Sequence, residues 1–365
     1  MKLFEKHIHT MLMKIKFLQA FNGDSIWISF LENENPRNII IDGGTGDTYQ
    51  NNVRRTGELY DVIKSIRDNK QNINLLILTH FDDDHIGGIL RWLNQDKEAA
   101  KLVKNIWFNS GKRIAKELSS EENKDLRIEI KENTDDFYTS PKQGIEFESY
   151  LSKNNLWDDK LILQDDKIDI LGVTFKILSP SMEKLEKLLK LYEKEKDYFT
   201  CGGDFDFATP LNDFIKEESN PKFKFKEDKS VPNGSSIAFI MEYEDKKFLF
   251  LGDAHPSIVI EGLKKCGFDE ENPLKAELMK VSHHGSQYNT NLELLAIVKT
   301  NNYIISSNAT KHGLPNKRAI ARIIANNPNA TIHFNYKELK ESVFQSKDFE
   351  TYTSFKISST NEFEY

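Results

Sequence analysis

The chain has 365 residues, of which 38% are hydrophobic and 29% charged, and its net charge at neutral pH is -7. That length allows a sizeable core in one large domain or two smaller ones, while the acidic balance argues against sequence-independent coating of nucleic acid, which needs Lys and Arg to neutralise phosphates. No run approaches the ~18 apolar residues of a membrane span, and the two cysteines, Cys201 and Cys266, are too few for a disulfide framework. Lys2, Glu5, Lys6, Lys14 and Lys16 interrupt the start, so no signal-peptide core is expected there. The expectation is a cytoplasmic protein with no membrane contact.

Lys14 to Leu18 and Ser25 to Phe30 read as strands around the Asn22-Gly23-Asp24 turn, with Asp24 as a turn former. Asn38 to Ile41 is a third strand, closed by Asp42-Gly43-Gly44. Leu59, Val62, Ile63 and Ile66 recur at helical spacing and predict a helix over Glu58 to Arg67. Leu75 to Leu78 is a short apolar run, read as a buried strand; a helix from about Ile86 and a strand near Val103 to Phe108 follow. Residues 110–230 are less regular, with helices expected at Gly144 to Leu151 and Glu183 to Lys196. The lysine- and glutamate-rich stretch Asn220 to Lys229 reads most simply as solvated surface; the functional alternative is a lid or substrate-gripping insertion. Phe199, Phe205, Phe207, Phe214, Phe223 and Phe225 could stack on bases, but at this density packing is favoured. Regularity returns with a hairpin, Ile237 to Tyr243 and Lys247 to Leu251, turning at Glu244-Asp245-Lys246. Then come a helix (Pro256 to Cys266), a strand (Glu277 to Ser282), a helix near Asn291 to Lys299, another strand, a helix (Asn316 to Ala325) and a strand (Ala330 to Asn335). The last thirty residues carry no motif, and Thr351 to Ile357 is their one strand candidate.

The strand Leu75 to Leu78 runs into Thr79-His80-Phe81-Asp82-Asp83-Asp84-His85, then Gly87 and Gly88, where a tight turn should lead into the helix. Two imidazoles and three carboxylates leaving a buried strand supply the nitrogen and oxygen donors that a divalent metal needs at one point. An acidic loop that merely contains histidine is the plainer reading, and the bracketing of the acids by His80 and His85 argues against it. Strand alternation would turn Asp82 and Asp84 to the side of His80, with Phe81 and Asp83 away. His7, His9 and His333 fall outside every motif. Lys280 and Lys311 are read as solvated.

His80, Asp82, Asp84 and His85 form H-x-D-x-D-H, which resembles the H-x-H-x-D-H signature of the metallo-β-lactamase superfamily with aspartate in second place. Phe248 to Ala254, ending Gly-Asp-Ala, resembles its strand leading to a bridging carboxylate. Leu278 to Ser286, containing His283-His284-Gly285-Ser286, resembles its late metal-binding strand. Tyr303 to Asn308 with Lys311-His312-Gly313 resembles the last strand and active-site loop. The His-His-Gly-Ser and Gly-Asp-Ala forms are most similar to the β-lactamase-like domain of bacterial DNA-uptake competence proteins. The resemblance covers 13–335 and implies an α/β (α+β) four-layer αββα sandwich with an insertion at about 110–230 and a C-terminal extension, 336–365, of unassigned role.

The resemblance also implies two divalent ions, zinc or manganese. It gives His80 and Asp82 to the first ion, Asp84 (also the catalytic carboxylate) and His85 to the second, and Asp253 as the bridge. His283 ranks first as the late ligand to the second ion, because a strand-end residue should aim into the cleft; His284 is its rival. The pattern usually supplies another histidine before the Gly-Asp strand, and none lies between His85 and His255. His255 is expected to start a helix outside the site, and Asn233 or a water to fill the vacant place. Aspartate at 82 and asparagine at 233 harden the donor set toward manganese. Asp42 is implied to hold a ligand imidazole from behind. His312 is a catalytic candidate, as leaving-group acid or phosphate ligand, against an even alternative of an ordinary loop histidine.

The implied function is a metal-dependent hydrolase, foremost a phosphodiesterase or nuclease that attacks with a metal-bridging hydroxide, with nucleic acid or a nucleotide as substrate. The alternatives are a hydrolase of a small phosphodiester, lactone or thioester, and a degenerate, non-catalytic binder of nucleic acid or a partner protein.

Overall fold

The computed structural model describes residues 13–52, 55–118, 140–156, 160–192 and 204–365. His7, His9, Phe199, Cys201 and the end of the helix expected to reach Lys196 lie outside the described residues.

Two large sheets face each other. The first runs, in spatial order, Glu362–Glu364, Lys14–Phe17, Ile26–Glu32, Asn35–Ile41, Leu75–Ile77 and Ile106–Trp107. The second runs Lys356–Ser358, Thr331–Phe334, Asn302–Ile305, Leu278–Lys280, Lys246–Phe250, Ala238–Tyr243, Val173–Ser179 and Lys167–Ile170.

Strand alternation makes this a four-layer molecule. Successive side chains point to opposite faces, so the run Ile39-Ile40-Ile41 sends Ile39 and Ile41 between the sheets and Ile40 outward. Leu75 and Ile77 likewise point between the sheets, and Leu76 and Leu78 outward. In the second sheet Phe239, Met241, Phe248 and Phe250 fill the space between the sheets, while Ile240, Leu249 and Leu251 face out. Helices cover both outer faces: Glu58–Asp68 and Asp83–Gln95 lie on the first, and Pro256–Lys265 and Lys317–Asn326 on the second. Burial on both faces is why these strands read as continuous apolar runs rather than alternating ones. The result is the expected αββα sandwich.

Two stretches serve the sheets more directly than the sequence suggested. Inside 110–230, Lys167–Ile170 and Val173–Ser179 are hydrogen-bonded members of the second sheet, and the pattern Val173, Phe175, Ile177 is their period-2 signature. The last residues close both sheets at their edges: Lys356–Ser358 pairs parallel to Thr331–Phe334, and Glu362–Glu364 pairs antiparallel to Lys14–Phe17. The strand expected at Thr351 to Ile357 starts only at Lys356, because Asp348–Thr351 is helical. Phe214 is buried under the second sheet, and Phe223 and Phe225 lie against the guanidinium groups of Arg318 and Arg322, so these three rings pack, as favoured, whereas Phe205 is exposed. No helix among the described residues is long and apolar enough to cross a membrane.

Strand direction places the site. Asn35–Ile41 and Leu75–Ile77 run parallel, and so do Lys246–Phe250, Leu278–Lys280 and Asn302–Ile305. Their carboxyl ends deliver Asp42, His80, Asp253, His283 and His284, and the 306–313 loop. In open α/β sheets such ends form the crevice where ligands bind.

Candidate metal centre

After Ile77 the chain leaves the sheet, and Asp42 catches it: the Thr79 amide donates to Asp42 Oδ1 (2.8 Å) and the Thr79 hydroxyl to Oδ2 (2.7 Å). The helix begins at Asp83, with Asp82 as its N-cap, three residues earlier than expected. Strand alternation therefore does not govern 82–85. Asp84 and His85 sit in the first helical turn, while Asp83 turns away and accepts from Gln143 Nε2 (2.7 Å). Gly88 lies within this helix, not in a turn before it. A side chain there would stand 2.0 Å from the Gly43 carbonyl oxygen, so its role is close approach of the helix to the Asp42 loop.

Asp253 is the hub. Its Oδ2 lies 3.4 Å from His85 Nε2, 3.6 Å from His284 Nε2, 3.8 Å from His283 Nε2 and 4.0 Å from His80 Nε2. Asp84 Oδ2 stands 3.4 Å from His284 Nε2, and Asp82 Oδ2 stands 3.7 Å from His80 Nε2. The structure thus brings together all seven residues proposed as ligands from the sequence. Asp253, His80, His85 and His284 are at most 3% exposed.

Each ring is turned the same way by a partner on its other nitrogen. His85 Nδ1 donates to Asp42 Oδ2 (2.8 Å), His284 Nδ1 to the Ser306 carbonyl (3.0 Å), and His283 Nδ1 to Asn289 Oδ1 (3.0 Å). His80 Nδ1 meets the hydroxyls of Thr79 (3.1 Å) and Ser236 (3.2 Å). With Nδ1 engaged, the Nε2 lone pairs face the hub, the arrangement that orients metal-ligating imidazoles. The Nε2 atoms of His80, His85 and His284, with Asp82 Oδ1 and Asp253 Oδ1, are buried and lack any hydrogen-bond partner among the described residues. Each such orphan costs about 1–3 kcal/mol, a cost that a divalent cation among them would remove. The residues fit a metal: nitrogen and oxygen donors only, from several chain segments, converging on one carboxylate.

The charges agree. Burial alone would lower the pKa of His85, but Asp253 and Asp42 outweigh it and raise it well above the ordinary value. Burial likewise opposes protonation of His284, yet Asp253 and Asp24 push it up to about 9. Burial would raise Asp84, and contact with His284 and His85 holds it well below the carboxylate range.

The reason for ranking His283 over His284 does not hold. The strand ends at Lys280, and both histidines adopt left-handed backbone, φ 47° and 51°, so strand-end direction does not separate them. His284 stands beside Asp84 and His85, where the late ligand to the second ion was expected. His283 approaches from the side of Asp228 and Asn289. Asn233 Nδ2 donates to Asp228 Oδ2 (2.7 Å) and lies 3.3 Å from His283 Nδ1, on the side of that ring away from Asp253. His255 caps the helix Pro256–Lys265 and meets Lys184 Nζ (2.9 Å), outside the cluster as expected. His312 lies on an exposed loop with left-handed backbone, near enough to feel the charges of Asp84, His283 and His284.

Three supporting residues were missed. Lys280, expected in solvent, is 1% exposed; it is ion-paired with Asp24, and its Nζ donates to the Gly252 carbonyl (3.0 Å). A lone lysine inside the apolar run Leu278-Met279-Lys280-Val281 was the available signal. Asp24 is no mere turn former. It is buried, and one atom from each of Asp24, His85, Asp253 and His284 lies within 4.8 Å of the others. The nitrogen of His284 nearest Asp24 is Nδ1, at 3.6 Å, so Asp24 backs that imidazole rather than facing the hub. Asp228, in the stretch read as solvated, is 3% exposed and lies 3.4 Å from His283 Nδ1. Burial raises its pKa, but His283 overrides this and holds the carboxyl far below its usual range.

The hold of Asp42 on His85 is directly testable. Asp42→Asn removes the charge that fixes this ring, and divalent-metal affinity should fall about 10- to 100-fold, read by competition with a chromogenic chelator. Unchanged affinity would mean that the ring needs no such orienting partner.

Residues 22–169 match the model of the metallo-β-lactamase superfamily. No curated protein matches the chain. Among solved structures it is similar to the metallo-β-lactamase fold protein YhfI from Bacillus subtilis, with a TM-score of 0.41 and 8% identity, covering 97% of this chain and 100% of that one. CmlA, a diiron β-hydroxylase from Streptomyces venezuelae, gives a TM-score of 0.37 at 9% identity, covering 97% of this chain and 54% of that one. A metallo-β-lactamase from Pontibacter korlensis gives 0.26 at 12% identity, covering 67% and 73%.

Proposed function

From the premise that this chain carries a metallo-β-lactamase superfamily domain, we propose that it is a divalent-metal-dependent phosphodiesterase acting on nucleic acid or nucleotides. The observation that carries this reading is the ring of four imidazole Nε2 atoms within 4.0 Å of Asp253 Oδ2. In this reading His80, Asp82 and His283 would hold one ion and Asp84, His85 and His284 a second, with Asp253 available to both. In this assignment His283 takes the place of the histidine missing before the Gly-Asp strand. Divalent ions in such a pair supply Lewis acidity and lower the pKa of water. The aspartates admit manganese as well as zinc.

The protein's own groups position and protect. Asp42, Ser306, Asn289 and Asp228 keep the imidazoles aimed at the hub. Burial of the donors lowers the local dielectric and strengthens every charge–charge contact there. We assign His312, at the exposed rim, to proton transfer at the departing alkoxide; burial lowers its pKa, so the neutral ring is favoured and the acid role is its weakest point. The His-His-Gly-Ser and Gly-Asp-Ala segments, similar to those of DNA-uptake proteins, favour a phosphodiester over a lactone or thioester.

The test is a panel. Manganese-loaded and zinc-loaded protein is offered single-stranded DNA, duplex DNA, RNA, a chromogenic phosphodiester, a lactone and a thioester. Hydrolysis of one or more phosphodiesters, abolished by chelator, is the expected outcome. Turnover confined to the lactone or thioester would overturn the assignment.

A further inference from the structure

Beside the metal centre lies a cleft of ≈520 Å³ between the Phe21-Asn22 loop, the segment Thr45 to Asp47, the helices Asp83–Gln95 and Ser140–Lys153, and the loop at Thr310-Lys311. Its inner wall touches the centre, because Asn22 Nδ2 donates to Asp84 Oδ2 (3.1 Å).

Three features mark it as built for a ligand. Gln143 is 3% exposed and lines the cleft. Its Nε2 donates to Asp83 Oδ1 (2.7 Å), and a carboxylate only accepts, so the amide orientation is settled. That leaves Gln143 Oε1 a buried acceptor with no partner among the described residues; such groups are rare and call for an N–H or O–H donor. Phe21 is 38% exposed, an open aromatic face on a loop whose left-handed backbone is pinned by the Phe21 amide donating to the Tyr336 hydroxyl (2.7 Å). Lys311 is exposed at the mouth, and its ammonium has no ion pair among the described residues.

The charges inside indicate what enters. Arg91 is committed to Asp47 (2.7 Å), while Asp83 and Glu146 accept from Gln143 and Asn94 (2.7 Å each). Among the described residues no cation within is left for a phosphate, and the two carboxylates would repel one. The interior suits a neutral, flat, donor-bearing group, and the mouth suits an anion. We propose that this cleft seats one nucleoside beside the scissile phosphodiester, its base stacked on Phe21 and giving an N–H to Gln143 Oε1, its adjoining phosphate on Lys311. This rests on the phosphodiesterase reading and extends it to the substrate's flank.

The experiment uses the metal-loaded full chain. First, kcat/KM is measured for p-nitrophenyl thymidine 5′-phosphate and for methyl p-nitrophenyl phosphate, which has no base. Second, calorimetry compares binding of thymidine 5′-monophosphate with deoxyribose 5-phosphate, which requires no turnover. Base stacking predicts a preference for the nucleoside compounds of about tenfold or more in both assays, lost in Phe21→Ala; Phe21 is exposed enough for the variant to fold. Gln143→Leu should also reduce the preference. Hydrolysis of both esters without a base preference, unmoved by Phe21→Ala, overturns the subsite and leaves the hydrolase standing. Base-dependent binding that Phe21→Ala abolishes, with no turnover of either ester, supports the subsite and sinks the hydrolase. Neither turnover nor base-dependent binding overturns both.

Discussion

Asp253→Asn should eliminate metal-dependent hydrolysis, by at least ~10³-fold, since the charge stabilisation at stake is several kcal/mol and each decade in rate is about 1.4 kcal/mol. The change keeps the volume of the side chain, so packing around a residue that is 2% exposed is undisturbed. What it removes is the one anion facing four imidazoles. Either orientation of the amide is unfavourable: its oxygen is neutral, and its NH2 group donates where a cation must be held. The loss should appear in metal content before it appears in rate. Elemental analysis of purified variant and wild type reads the first, and the phosphodiester panel reads the second. Full metal occupancy with full activity would mean that chemistry occurs elsewhere. Activity lost with both ions retained would assign Asp253 to catalysis without metal binding.

Much of the architecture was readable because its causes are local. Continuous apolar runs such as Ile39 to Ile41 and Leu75 to Leu78 are what strands buried on both faces require, and the helix Glu58–Asp68 appears within a residue of its predicted end because Leu59, Val62, Ile63 and Ile66 share one face. The donors of the centre were readable because they cluster at strand ends: His80 to His85, Asp253, and the His283-His284 pair.

What could not be read depends on long-range packing. Asp228 stands among exposed lysines, and its burial follows from Asn233 and Asn289, the latter 61 positions away. The order of His283 and His284 depends on two consecutive left-handed residues, which alternation along a strand cannot anticipate. The early helix start at Asp83 reflects the close approach of Gly43 and Gly88, a contact between segments. Both edge strands from the last thirty residues are short and need partners already in place. In each case the missing information is which distant surface a residue meets.

Lys280→Met should destabilise the fold by about 3–5 kcal/mol, the cost of leaving one member of a buried ion pair without its partner. Lys280 and Asp24 are each 1% exposed. Burial raises the pKa of Asp24, yet Lys280, followed by His284, brings it down to about 2, so the carboxylate stays charged because the ammonium is there. Methionine fills much of the lysine stem's volume and supplies no charge. The double variant Lys280→Met with Asp24→Asn removes the stranded anion and should recover most of the lost stability, since neutral replacements of buried pairs cost little. Urea unfolding of the chelator-treated proteins measures both. Metal affinity should not recover in step. Lys280 Nζ also holds the Gly252 carbonyl (3.0 Å), the same oxygen that accepts from the His283 amide (3.0 Å). Gly252 itself adopts left-handed backbone, φ 50°, immediately before Asp253. Without the ammonium, this turn loses the contact that fixes Asp253 against His283. A stable double variant that binds metal poorly would identify Lys280 as a positioning residue of the centre. A double variant with wild-type affinity would confine the lysine to neutralising Asp24, and wild-type stability in Lys280→Met alone would show that the pair contributes nothing.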